Sequence, residues 1–209
     1  MSNQKRKTID ILLALQETLD TAEFGYETFI KGSPPQKMVG LRNLVVFSRA
    51  VTNVLQNLKS VEPEFDEWYK KYQEEMQDDA LMKYFYKLRS EILKEGKLEV
   101  GVGVHIKHMS LPQDMQRFGR PPPNAKSFFI GDRAGGTGWV VQLADGSTEN
   151  YYVDLPSDIG SVTFLFPDPP ESYMGRPLAN KSVERLSWLY LNYLKQLVKL
   201  AKEKFGAKS

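Results

Sequence analysis

Four cations on helical segments are the residues best suited to chemistry: Arg42, Arg49, Arg89 and Lys94. Arg42 and Arg49 stand seven residues apart, two turns along one helix face. Arg89 falls one turn after Phe85 on another helix, with Lys94 five residues further on. A guanidinium carries its donors in a planar fork that matches phosphate oxygens, so a groove holding these side chains suits RNA or a nucleotide. Such a groove requires the two helices to pack antiparallel. The competing reading pairs each arginine with a nearby carboxylate such as Asp66, Glu67 or Glu91, which makes the cations staples of a bundle. Short motifs mislead often enough that the sequence by itself favours the staples.

The remaining reactive types form weaker patterns. His105 and His108, the only histidines, fall on opposite faces of a continuing strand. With no cysteine and no further histidine, they do not have the spacing of a zinc site, and neither a metal nor a cofactor is expected. The stretch "FFIGDRAGGTGWVV" is glycine-rich, but no lysine follows its glycines and a strand stands where a phosphate-binding loop needs a helix. It reads as a strand-to-strand connection with Asp132 as a turn residue. The alternative is a loop whose amides meet a partner or a phosphate. Trp139, Tyr151 and Tyr152 offer aromatic faces, but Trp139 shares its strand face with Val141 and Leu143, as a core residue does. Asp66, Glu67, Asp132 and Asp154 are scattered over helix, loop and strand, so whether the protein is an enzyme stays open.

The elements that would position these residues are legible. Leu12, Leu15, Leu19, Ala22, Tyr26 and Phe29 recur at three- and four-residue steps and predict a first helix ending at Gly32. Ser33 before Pro34 predicts the start of a second. A third opens after Pro63. Asp78 or Asp79 caps a fourth, which Gly96 stops. The period then changes to alternation through Leu98, Val100, Val102, Val104 and Ile106, the pattern of a half-buried strand. A loop over 110–126, a short strand at Phe128–Ile130, a hairpin around Asp145-Gly146 and a buried strand "SVTFLF" follow. A long apolar helix that begins near Asn180 or Ser182 and ends before Gly206 closes the chain, and the N-terminal bundle is the expected host for its apolar face. The expected class is therefore α+β: a helical bundle over 1–97, an antiparallel β insertion over 98–170, and a linker with a C-terminal helix over 171–209 that packs back on the bundle.

Helix two ("LRNLVVFSRAVTNVLQNL"), the "FDEWY" segment and "LRSEILKEG" together resemble a HEPN-type helical bundle over about residues 35–97. That family carries an arginine followed four to six residues later by a histidine on its last core helix. Arg89 matches the arginine, Ser90 a common polar position, and Glu95-Gly96 the tail. Lys94 stands where the histidine would be. The resemblance implies RNA contact and, in catalytic members, metal-independent cleavage by motifs meeting across a homodimer. A lysine ionises about four pH units above a histidine, so Lys94 would hold an anion rather than act as a general base. The resemblance thus points to RNA or nucleotide binding with weak or no cleavage.

Composition bounds the choice. The chain has 209 residues, 41% hydrophobic and 26% charged, which fits an ordinary folded protein. The net charge of +2 is too balanced to indicate nucleic-acid binding by itself. Its start, "MSNQKRKTIDILLALQ", lacks the apolar core and small-residue cleavage site of a leader, and no apolar run reaches bilayer length, so a cytoplasmic protein with no membrane contact is expected. The alternative to RNA binding is a non-enzymatic interaction module, which dimerises through its bundle and recognises a protein partner through the β insertion.

Overall fold

The computed structural model describes residues 3–206. Residues 1–2 and 207–209, the extremes of the expected N- and C-terminal units and part of the leader reading, lie outside them. The fold is α+β, with N-terminal helices, small antiparallel sheets and a C-terminal helix. Helices α1 (Asn3–Lys31), α2 (Pro34–Leu55), α3 (Phe65–Asp78) and α4 (Ala80–Glu95) come first, with a 3-10 turn at Gln56–Ser60 after α2. Strands β1 (Gly101–Ile106), β2 (Ala125–Ile130), β3 (Thr137–Gln142), β4 (Thr148–Val153), β5 (Gly160–Leu165), β6 (Ser172–Tyr173) and β7 (Arg176–Pro177) follow. Helix α5 (Val183–Ala201) continues as one π-helical turn to Gly206.

The start and stop signals act as their chemistry dictates. The Ser33 N–H donates to Gln36 Oε1 at 3.0 Å, and prolines fill the first turn of α2, where a missing N–H costs nothing. Lys37 Nζ donates to the carbonyls of Phe29 and Ile30 at 3.1 and 2.7 Å, capping the end of α1 from the start of α2. Gly96 takes φ +67 and ends α4 in the left-handed conformation. Ser182 caps α5, its hydroxyl accepting from the Arg185 N–H at 3.2 Å.

Helices α1 and α2 approach to backbone contact through Gly25 and Gly40. A Cβ at Gly40 would sit 2.6 Å from the Phe29 nitrogen, and one at Gly25 would sit 2.5 Å from the Leu44 nitrogen. This pair forms one wall of a continuous core that Leu186, Leu194 and Leu197 of α5 complete. Phe85 of α4 stacks on Tyr190 of α5 with ring centres 4.3 Å apart.

The β strands lie outside that core as three small sheets. β1 pairs antiparallel with β5, the β2–β3–β4 meander forms a second sheet, and β6–β7 is a two-residue ribbon. Phe164 and Phe166 fasten β5 and its end to the bundle, with Phe164 at 5.3 Å from Phe29 and Phe166 at 5.6 Å from Tyr84. The expected half-burial of the first strand is correct only at its approach. Leu98 and Val100 pack on the core, while Val104 and Ile106, which do not reach it, are 40% and 42% exposed, the glycine-rich loop at Gly131 covering Val104 only in part. "SVTFLF" likewise alternates instead of being buried throughout. The turn after β3 runs longer than Asp145-Gly146, with the Leu143 N–H donating to the Ser147 carbonyl at 2.8 Å.

Asp79 joins the two parts. One carboxylate oxygen accepts from the Met82 N–H at 3.0 Å as the α4 cap, and the other accepts from the Met174 N–H in the β6–β7 turn at 2.7 Å. The residue is buried. Asp79→Ala strands two amide donors, and an expected loss of about 2–3 kcal/mol follows from the cap plus one charge-assisted bond. Urea unfolding measures it, and Asp79→Asn should recover about half through the oxygen it keeps. Equal midpoints for wild type and Asp79→Ala would show that the clamp does not act.

Candidate functional site

Arg42 Nη1 donates to the Gly96 carbonyl at 2.9 Å, and the Arg49 guanidinium lies over the Tyr86 ring at 5.5 Å. The early part of α2 thus meets the end of α4, and the later part of α2 meets the middle of α4. The two helices run antiparallel, as a shared groove requires. Within that pairing the four cations have different surroundings. Arg42 is occupied at the helix end, Lys94 stands exposed, and Arg89 lies between these levels with its Nε buried and unbonded. Nor do the carboxylates take these cations. Among the described residues none of the four is ion-paired; Asp66 pairs with Lys59 at 2.9 Å and Glu91 with Lys87 at 3.7 Å.

Arg49 alone of the four lines a cavity of about 360 Å³ enclosed by α2, α3, α4 and α5. Its guanidinium donates to Thr52 Oγ1 and rests on the Tyr86 ring, which fix its place in the lining. The floor is made by the buried residues Tyr69, Met82 and Tyr190. The rim carries Lys83 and the amides of Gln56, Gln73 and Gln77. No aspartate or glutamate lines the cavity, so its two cations are uncompensated inside it.

The local structure explains this arrangement. Tyr69, Gln73 and Gln77 follow one another at four-residue spacing, which puts them on one face of α3. Tyr69 is anchored by its ring, stacked on Phe65 at 5.1 Å, as Tyr190 is on Phe85. Neither phenol hydroxyl has a hydrogen-bond partner among the described residues. Burial pushes both phenols up, Tyr190 to about 12, and the nearby Arg49 charge pulls each partly back. Both therefore stay protonated at neutral pH and offer O–H donors beside a guanidinium. Sequence reasoning missed the two tyrosines because their rings belong to the apolar stripes of α3 and α5. The readable signal was the uncharged Tyr–Gln–Gln face on an otherwise highly charged helix.

The other sequence candidates are engaged elsewhere. The glycine-rich loop closes on Asp132: the Ala134 and Gly136 N–H groups donate to Asp132 Oδ1 at 3.0 and 2.8 Å, and the Gly131 N–H donates to the Gly136 carbonyl at 2.8 Å. Tyr152 and Asn150 donate to Asp132 Oδ2. The amides are spent inside the loop, which packs Gly135 on Phe164 and docks the second sheet against the first. His105 and His108 are exposed, and among the described residues no cluster of ligands could hold a metal ion. Among those residues no helix is long and apolar enough to cross a membrane.

Tyr84 gives the fold an alkaline limit. Its hydroxyl donates to the Pro167 carbonyl at 2.6 Å, and burial, followed by Glu91 and Asp168, pushes it up to about 12. An unfolded tyrosine ionises near 10, so between about pH 10 and 12 the folded chain holds a proton that the unfolded chain has lost. This contribution is complete below pH 10 and disappears as pH rises through 12. Urea midpoints should fall across that window, and Tyr84→Phe should flatten the fall. An unchanged slope in Tyr84→Phe would contradict this.

Residues 32–111 match the model of the family described as Bacteriophage lambda protein ea47. The match covers α2 to the loop after β1, and with it every lining residue of the Arg49 cavity except Tyr190. It overturns the HEPN resemblance of the same stretch, which no HEPN family model matches. The special role of Arg89 and Lys94, and the RNA cleavage implied for catalytic members, rested on that resemblance alone. No curated protein matches the chain, and no solved structure does.

Proposed function

We propose that the protein binds a nucleotide, free or as a unit of RNA, in the cup around Arg49. The observation that carries this reading is a guanidinium with no carboxylate partner, beside two protonated phenols whose donors are unused. An anion supplies what that arrangement lacks. The tyrosine rings and rim amides suit a base and sugar attached to it, since aromatic faces accept any base. The volume, at the lower end for small-molecule sites, fits one nucleotide. Of the four cations first considered, Arg49 takes the phosphate role in this reading, and Arg42, Arg89 and Lys94 take none.

Titration of a short single-stranded oligoribonucleotide at several salt concentrations tests it. Affinity should fall with salt, and Arg49→Ala should lower the slope of log K against log salt by about 0.7, the share of one phosphate contact on a single strand. Arg42→Ala should leave the slope alone. Equal slopes for wild type and Arg49→Ala would refute the reading.

A second reading, self-association through the bundle, draws on exposed apolar residues. Leu13 and Phe24, three turns apart on one face of α1, are 58% and 67% exposed, and Val39 of α2 is 57% exposed. Such side chains favour a contact surface when they adjoin. Sizing at micromolar concentration tests this reading, and a monomer there contradicts it.

A further inference from the structure

The cup rests on the buried residues Tyr69, Met82 and Tyr190. Its donor count favours a terminal phosphate over an internal one. Arg49 and the two phenols supply three donor groups to one lining, the Arg49 charge acting on both hydroxyls, with no carboxylate among the lining residues to repel a second negative charge. A phosphomonoester presents three terminal oxygens and a charge of about −1.5 to −2 at pH 7. A diester presents two such oxygens and a single charge.

Resting on the nucleotide reading, we propose that the site selects a terminal phosphomonoester: the 5′-phosphate of a nucleoside monophosphate or of an RNA end, seated on Arg49, Tyr69 and Tyr190. The hydroxyls of Tyr69 and Tyr190 act as specificity determinants, because they meet the third oxygen that a diester does not have. Their rings stack on Phe65 and Phe85, so Tyr69→Phe and Tyr190→Phe remove the donors and keep the packing.

Competition against a labelled 5′-phosphorylated oligoribonucleotide tests the proposal with four ligands. These are the same oligonucleotide with a 5′-phosphate, the same with a 5′-hydroxyl, AMP and adenosine. The phosphorylated oligonucleotide should bind at least about tenfold more tightly than its 5′-hydroxyl form, as one or two charge-assisted hydrogen bonds predict, and AMP should exceed adenosine similarly. AMP matching the phosphorylated oligonucleotide would assign the site to free nucleotides, and AMP binding much more weakly would assign it to RNA ends. Tyr69→Phe and Tyr190→Phe, checked for native circular dichroism, should each narrow the phosphate preference several-fold, the remainder resting on Arg49, while leaving 5′-hydroxyl binding in place; an unchanged preference in both would overturn the role of the phenols. Equal affinity of the two oligonucleotides for wild type overturns the phosphomonoester assignment but leaves nucleotide binding standing. If no ligand binds, both readings fall.

Discussion

Alanine at Gly40 should lower the unfolding free energy by about 3 kcal/mol, the upper part of the range for overpacking a tight core. The added methyl would stand 2.6 Å from the Phe29 nitrogen and 2.7 Å from the Gly25 carbonyl oxygen. Both neighbours are helical backbone, which cannot swing aside as a side-chain tip can. The α1–α2 pair must therefore separate, loosening Leu15, Leu19, Leu41 and Leu44 together. Alanine's better helix propensity returns only about 1 kcal/mol, so the steric cost wins. Gly25→Ala should behave alike, its Cβ meeting the Leu44 nitrogen at 2.5 Å. Gly96→Ala is the control. It meets nothing within 4 Å, and its φ of +67 should cost only about 1–2 kcal/mol. Urea denaturation of the three variants checks the order. A Gly40→Ala protein as stable as wild type would mean that the helices pack farther apart than described.

Arg49→Ala should weaken nucleotide binding by about 10- to 100-fold, the range of one charge-assisted hydrogen-bond set. Arg49→Lys should recover only part of this, because an ammonium cannot place two parallel donors on a phosphate and sits less well on the Tyr86 ring. Arg42→Ala should leave affinity unchanged, since that side chain serves the Gly96 carbonyl at the far end of the helix pair. Isothermal titration with AMP separates the three. Equal losses at Arg42 and Arg49 would indicate a diffuse electrostatic effect in place of a built site.

The helices were legible because their ends carry unambiguous chemistry: Ser33-Pro34, Asp79 and Gly96 each act where their side chain or backbone freedom requires. The strands were legible in number more than in burial. Val104 and Ile106 alternate as buried residues do, but only tertiary structure decides whether a covering layer exists. The β6–β7 ribbon escaped notice because its turn puts Met174 at φ +48, a conformation that the residue type does not announce. The site was half visible. Arg49 and the antiparallel pairing of its helix could be argued from spacing. Tyr69 and Tyr190 could not, because a tyrosine in an apolar stripe reads as core whether or not its hydroxyl reaches a cavity. Nor could sequence show that seven residues along α2 separate a side chain on a helix end from one at a cup.

The most direct test follows the guanidinium itself. In a ¹⁵N-labelled protein, the Arg49 side-chain Nε–H resonance, assigned by its absence in Arg49→Lys, should shift on adding AMP and saturate with the binding curve. The resonances of Arg42 and Arg89 should hold their positions. Movement of Arg42 or Arg89 with Arg49 still, or no movement of any of the three at saturating AMP, would contradict a nucleotide site at Arg49.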